Sequence, residues 1–83
     1  MATKTEQKLT EIWCQVLETA VRVDDEFINL GGDSLTAMMC ISKVRRLFGK
    51  ELPILDFFLE GATIKRFAAE LDAQDTRSIT TQT

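Results

Sequence analysis

Apolar residues recur along the chain at intervals of three and four, the rhythm of helices with one buried face. Leu9, Ile12, Trp13, Val16 and Leu17 share such a face, and Thr3-Lys4-Thr5-Glu6 opens it with the spacing of a capping box. This predicts a first helix ending near Leu17 or Glu18. Ala37, Cys40, Ile41, Val44 and either Leu47 or Phe48 make a second stripe, which predicts a helix from Ser34 to Phe48. Gly49 stands where that helix should stop. Pro53 can open a short helix of one to two turns, Ile54 to Leu59, with Phe57 and Phe58 inward, and Gly61 stops it. Thr63 then caps a last helix from Ile64 to about Leu71 that buries Ile64, Phe67, Ala68 and Leu71. The fold class predicted is all-α: a four-helix bundle with a short third helix and a long first loop.

That loop, Thr19 to Gly32, holds Val21, Val23, Phe27, Ile28 and Leu30, too many apolar residues for a solvated connection. It should lie across the bundle with Val21, Phe27 and Leu30 in the core. Asp24-Asp25-Glu26 reads as the cap and first turn of a short helical piece. A metal site is the alternative, but the acids lack EF-hand spacing. Residues 1–4 read as a tail, 5–72 as the folded unit, and 73–83 as a polar, flexible C-terminal linker.

With 83 residues there is room for one domain. Hydrophobic residues at 45% and charged residues at 28% suit a globular chain with a modest core. A net charge of −3 is too mild to imply nucleic-acid binding. No apolar run is long enough to span a membrane and no signal peptide opens the chain, so no membrane partner is expected. Cys14 and Cys40 lack metal-ligand spacing and read as buried thiols, which fits a reducing, cytoplasmic setting. Trp13 could stack on a ligand, yet its place in the stripe favours the core.

The candidate chemistry lies in Phe27 to Leu35, FINLGGDSL. Gly31 and Gly32 permit positive φ and close approach. Asp33 is a good N-cap, which puts Ser34 in the first turn beside N–H groups that have no helical partner. Negative charge is favoured there, so an added phosphate would be too. The plain alternative is a capped turn in a helical interaction module. Leu35, Met38 and Met39 fall off the core stripe near Ser34. They either widen the core or form an adaptable contact surface. Serine catalysis is excluded on simple grounds: the chain has no histidine and no lysine near Ser34 to take the hydroxyl proton.

VDDEFINLGGDSLTAMMCISKVRRLFG resembles the centre of a carrier-protein domain, the peptidyl carrier or thiolation domain of nonribosomal peptide synthetases. The resemblance runs from about Leu9 to Leu71. It rests on DDxFxxLGG followed by the family's GG-[HD]-S-[LI]. It implies an acyl carrier protein-like bundle with 4′-phosphopantetheine covalently attached to Ser34, and Gly32, Asp33 and Leu35 forming the rest of the attachment motif. Implied partners are a phosphopantetheinyl transferase and adenylation, condensation, epimerisation or release domains, meeting Leu35, Met38 and Met39. The isolated domain is expected to be a monomer. Ala62-Thr63 replaces the family's common Pro-Thr, a change in turn rigidity. Polyketide and fatty-acid acyl carrier proteins are similar around DSL. Their second helices are usually strongly acidic, whereas Leu35 to Phe48 carries Lys43, Arg45 and Arg46 and no acid. The GGDS variant resembles carriers that serve epimerisation domains and many fungal synthetases.

Overall fold

The computed structural model describes residues 2–81, with side chains over 2–74. Three α-helices carry the fold: α1 (Lys4–Leu17), α2 (Ser34–Phe48) and α3 (Ile64–Thr81). Two short 3₁₀ segments, Ile28–Leu30 and Ile54–Phe58, punctuate the connections. Among the described residues there is no strand, only an isolated bridge between Glu26 and Thr63. The all-α class therefore holds, and the described residues form three α-helices plus the two 3₁₀ segments, without a fourth α-helix among them.

The helix starts, and the stop of α2, have local reasons. The Thr3 hydroxyl accepts the Glu6 N–H at 3.1 Å while the Glu6 carboxylate accepts the Thr3 N–H at 2.9 Å, a complete capping box. The expected tail of residues 1–4 is thus shorter, because Thr3 is the cap and Lys4 the first helical residue. Gly49 ends α2 at φ 66°, giving its N–H to the Arg45 carbonyl at 2.9 Å. Thr63 accepts the Arg66 N–H at the start of α3.

Three expectations are corrected. The short third helix is a 3₁₀ segment, since Pro53 and extended Leu59 (φ −88°, ψ 160°) leave only five residues between them. That length favours the tighter i to i+3 turn, as in the Asp56 N–H bond to the Pro53 carbonyl. Asp24-Asp25-Glu26 does not cap the first 3₁₀ piece. Asp25 instead accepts the Arg22 N–H at 2.9 Å and closes a turn, and Glu26 pairs with Thr63. The last helix passes Leu71 and continues to Thr81, so the segment from 73, expected as a flexible linker, is helical through Thr81. No glycine or proline breaks it between Ile64 and Thr81.

The core is centred on four rings from four different segments. Trp13 of α1 meets Phe27 of the first loop edge to face, centroids 5.1 Å apart. Phe27 meets Phe57 of the second 3₁₀ segment in the same way at 5.0 Å, and Phe57 stacks on Phe67 of α3 at 4.6 Å. All four are fully buried or nearly so. Such pairs contribute about 0.5–1.5 kcal/mol each beyond the burial of area. α2 closes the cluster with Ala37, Cys40 and Val44. Of the two candidates at its end, Phe48 packs against the core and Leu47 is exposed. Val21 and Leu30 pack at the edge of the core. The first loop is also latched to the start of α3 by backbone bonds, Phe27 N–H to the Ala62 carbonyl and Lys65 N–H to the Val23 carbonyl, both 3.0 Å.

Candidate functional site

The approach to Ser34 is set residue by residue. After the 3₁₀ turn the chain must reverse before α2 can begin. Gly31 does this at φ 87°, a conformation that strains any residue with a Cβ. Gly32 is required for a different reason. A Cβ there would stand 2.3 Å from the Phe27 ring, so only glycine lets the backbone lie on that buried aromatic. Its N–H donates to the Phe27 carbonyl at 3.1 Å. Gly32, expected as part of the attachment motif, thus has a packing role that no spacing in the sequence reveals.

Asp33 follows in extended conformation and caps α2. Its carboxylate accepts the Thr36 N–H at 2.9 Å, and the Thr36 hydroxyl accepts the Asp33 N–H at 2.8 Å. Bonds from the Thr36 backbone and then its side chain hold the Asp33 carboxyl below the usual carboxylate range, with a smaller contribution from the Leu35 N–H. Asp33 is therefore a charged cap and not a base. Ser34 is the first residue of α2 and is exposed. Among the described residues no side-chain hydrogen bond engages its hydroxyl. No group of three or more His, Cys, Asp or Glu among them could hold a metal ion.

A phosphodiester fits this position. The hydroxyl is open to an approaching enzyme and lies at the positive end of the α2 dipole. Leu35 is 67% exposed, Met38 59% and Met39 43%, so they do not widen the core. Together they give the Ser34 end of α2 an exposed apolar rim. Sequence reasoning missed further exposed apolar residues. Ile54, Leu55 and Leu59 of the second 3₁₀ region are exposed, as is Ile28 before the glycines. Met38 and Ile54, with Ile41 and Leu52, line an open groove of about 450 Å³. The signal was present: Ile54-Leu55-Asp56-Phe57-Phe58-Leu59 has more apolar residues than one short face can bury. Arg45, farther along α2, pairs with Glu51.

The structure is thus a helical unit with an exposed serine at the head of its second helix. Residues 7–71 match the family described as "Phosphopantetheine attachment site", and the chain belongs to that family. Within it, the chain is a carrier domain of the peptidyl type. It superposes with a TM-score of 0.81 and 34% identity on a chain from the structure of the phosphopantetheine transferase Sfp in complex with coenzyme A and a peptidyl carrier protein. That match covers 88% of this chain and 95% of the other. The solution structure of an active-site mutant peptidyl carrier protein gives 0.80 and 33%, covering 89% and 82%. Surfactin synthase subunit 2 of Bacillus subtilis (strain 168) is 40% identical over 75 residues, 90% of this chain. Tyrocidine synthase 3 of Brevibacillus parabrevis is 41% identical over 68 residues, 81% of this chain. The chain spans only 2% and 1% of the lengths of those two synthases. No helix among the described residues is long and apolar enough to cross a membrane.

Proposed function

We propose that Ser34 carries the phosphopantetheine arm, and that residues 5–72 form the unit that moves an aminoacyl or peptidyl thioester between the catalytic domains of a nonribosomal peptide synthetase. The observation that carries this reading is the exposed Ser34 hydroxyl at the first turn of α2, after Gly31-Gly32-Asp33 and with no base beside it. In the loading step, Ser34 Oγ bonds to the pantetheine-bearing phosphorus of coenzyme A. The bond from that phosphorus to the bridging oxygen breaks and adenosine 3′,5′-bisphosphate leaves. The hydroxyl proton passes to a base of the transferase, since this chain offers none. The domain itself is non-catalytic.

The terminal thiol of the arm would then accept an amino or aryl acid from an adenylation domain and deliver it to condensation, epimerisation or release domains. Covalent tethering keeps the cargo at a millimolar-scale effective concentration near each partner. Each partner must reach the Ser34 end of the domain, so its footprint includes Leu35, Met38 and Met39. Flexible methionines let one surface meet several shapes in turn. The reading also implies a monomeric domain in the cytoplasm, where coenzyme A is available and the thiols of Cys14 and Cys40 stay reduced.

Incubation with coenzyme A and a broad-specificity phosphopantetheinyl transferase, read by intact mass, tests the assignment. The wild-type chain should gain one phosphopantetheine, and Ser34→Ala should gain none while keeping its helical spectrum. An arm on the Ser34→Ala protein would move the site elsewhere.

A further inference from the structure

Hydrogen bonds between Asp33 and Thr36 close a ring that spans Ser34 and Leu35. The Thr36 N–H donates to Asp33 Oδ1 at 2.9 Å, and the Asp33 N–H donates to Thr36 Oγ1 at 2.8 Å. Thr36 Oγ1 also lies 3.0 Å from both the Asp33 carbonyl oxygen and Oδ1, so its own proton has an acceptor in the same turn. The Ala37 N–H bonds the Asp33 carbonyl at 2.9 Å. Backbone and side chain are thus fixed on both sides of Ser34 and Leu35, and these two exposed residues ride on the outside of the ring.

The Thr3–Glu6 box at the head of α1 makes the same two bonds, but with a long side chain that has several torsions to settle. Thr36 holds its oxygen on a single side-chain torsion. A long residue would serve to cap the helix, whereas a short hydroxyl also fixes the turn.

We propose that Thr36 is a positioning residue for the modification of Ser34. The Asp33–Thr36 box keeps the first turn of α2 from fraying, so the hydroxyl is already in its attacking position when a transferase docks. The proposal rests on Ser34 being the attachment residue. Loss of the Thr36 hydroxyl leaves Leu35, Met38 and Met39 in place and reduces the fraction of encounters with the Ser34 hydroxyl in position. The rate at saturating carrier should therefore fall and the half-saturating concentration should not.

Single-turnover transfer from coenzyme A, followed by intact mass, tests this with Thr36→Val, Thr36→Ser, Asp33→Ala and the double variant Asp33→Ala/Thr36→Val. Thr36→Val should slow transfer about tenfold, equivalent to about 1.36 kcal/mol. Thr36→Ser should restore the wild-type rate, and the double variant should be no slower than the slower single one, because the box acts as a unit. Thr36→Gln, a neutral box former with a flexible side chain, should keep the melting midpoint and still slow transfer. It provides the comparison if the valine variant is unfolded at the assay temperature. Wild-type rates for Thr36→Val or, in that event, for Thr36→Gln would overturn the proposal. So would a loss that serine fails to rescue, or one confined to the half-saturating concentration. Ser34→Ala in the same assay separates the two ideas. An arm on that variant defeats the attachment reading, whereas no arm on it together with a wild-type rate for Thr36→Val defeats the positioning role alone.

Discussion

The four-ring cluster and the rim around Ser34 are made of the same class of side chain and have opposite exposure. Trp13, Phe27, Phe57 and Phe67 are almost wholly removed from water, whereas Leu35, Met38, Leu55 and Leu59 leave more than half of their surface in it. The second 3₁₀ segment contributes to both: Phe57 is fully buried and Leu55 is 73% exposed. In a chain of 83 residues with a core this small, leaving so many apolar groups outside is a cost to stability. The difference separates two tasks. The rings hold the fold, and on the function proposed above the rim is the surface a partner would cover and leave again. Phe27 joins the two, since its ring packs on Trp13 and Phe57 and at the same time occupies the space over Gly32.

Substitutions on the two sides should therefore differ in kind. The largest effect is expected at the centre. Trp13→Ala should cost about 3–5 kcal/mol in urea or thermal unfolding, a large part of the stability of a small domain. A loss under about 1 kcal/mol would place the indole outside the cooperative core.

The junction comes next. Gly32→Ala drives a methyl group into the Phe27 ring and should cost about 1–3 kcal/mol, as overpacking does. The neighbouring Gly31→Ala meets open space and suffers only its positive φ, about 1–2 kcal/mol. If Gly32→Ala proves silent, the ring does not hold the loop.

Met38→Glu and Met39→Glu test the rim. Their melting midpoints should correspond to changes within about 0.5 kcal/mol, as for surface sites. Single-turnover acyl transfer from the loaded carrier to a downstream domain should fall several-fold, because docking would bury the new charge. Unfolding of both variants would assign these residues to the core. An unchanged transfer rate would shift the partner surface to Ile54, Leu55 and Leu59.

The smallest effect is an expected silence. Burial pushes the Cys40 thiol up to about 12, despite the Lys43 ammonium nearby. At pH 8 only about one Cys40 thiol in ten thousand is then thiolate, so iodoacetamide should label it only after unfolding. Rapid native labelling of Cys40, read by peptide mapping, would mean that α2 opens away from the rings.

Much of this was legible because short-range chemistry dictates it. The Thr3–Glu6 box, the Ala37–Cys40–Val44 stripe and the Gly49 stop are all written within one or two helical turns. Asp33 before Ser34 gave the start of α2 in the same way. What could not be read depends on distant neighbours. Nothing local says that Gly32 lies under the Phe27 ring, or that Glu26 pairs with Thr63 in preference to capping the Ile28–Leu30 turn. The Ile54–Phe58 segment lies at the length where α and 3₁₀ geometry compete, and its ends decide between them. Polar composition past Leu71 suggested a linker, yet nothing in that stretch forbids helix, and α3 continues. Thr36 was passed over because its partner is the backbone of a residue already assigned a role.

The latch between Phe27 and Ala62 has a consequence for the birth of the protein. On a ribosome Ser34 emerges before the residues that anchor its loop, Ala62, Thr63 and Lys65, which come near the end of the folded unit. Until they arrive, Phe27 has neither its backbone acceptor nor the Phe67 side of the cluster to settle against. A nascent chain should thus keep Ser34 unusable to a transferase until α3 has been made, and become competent in one step as α3 folds back.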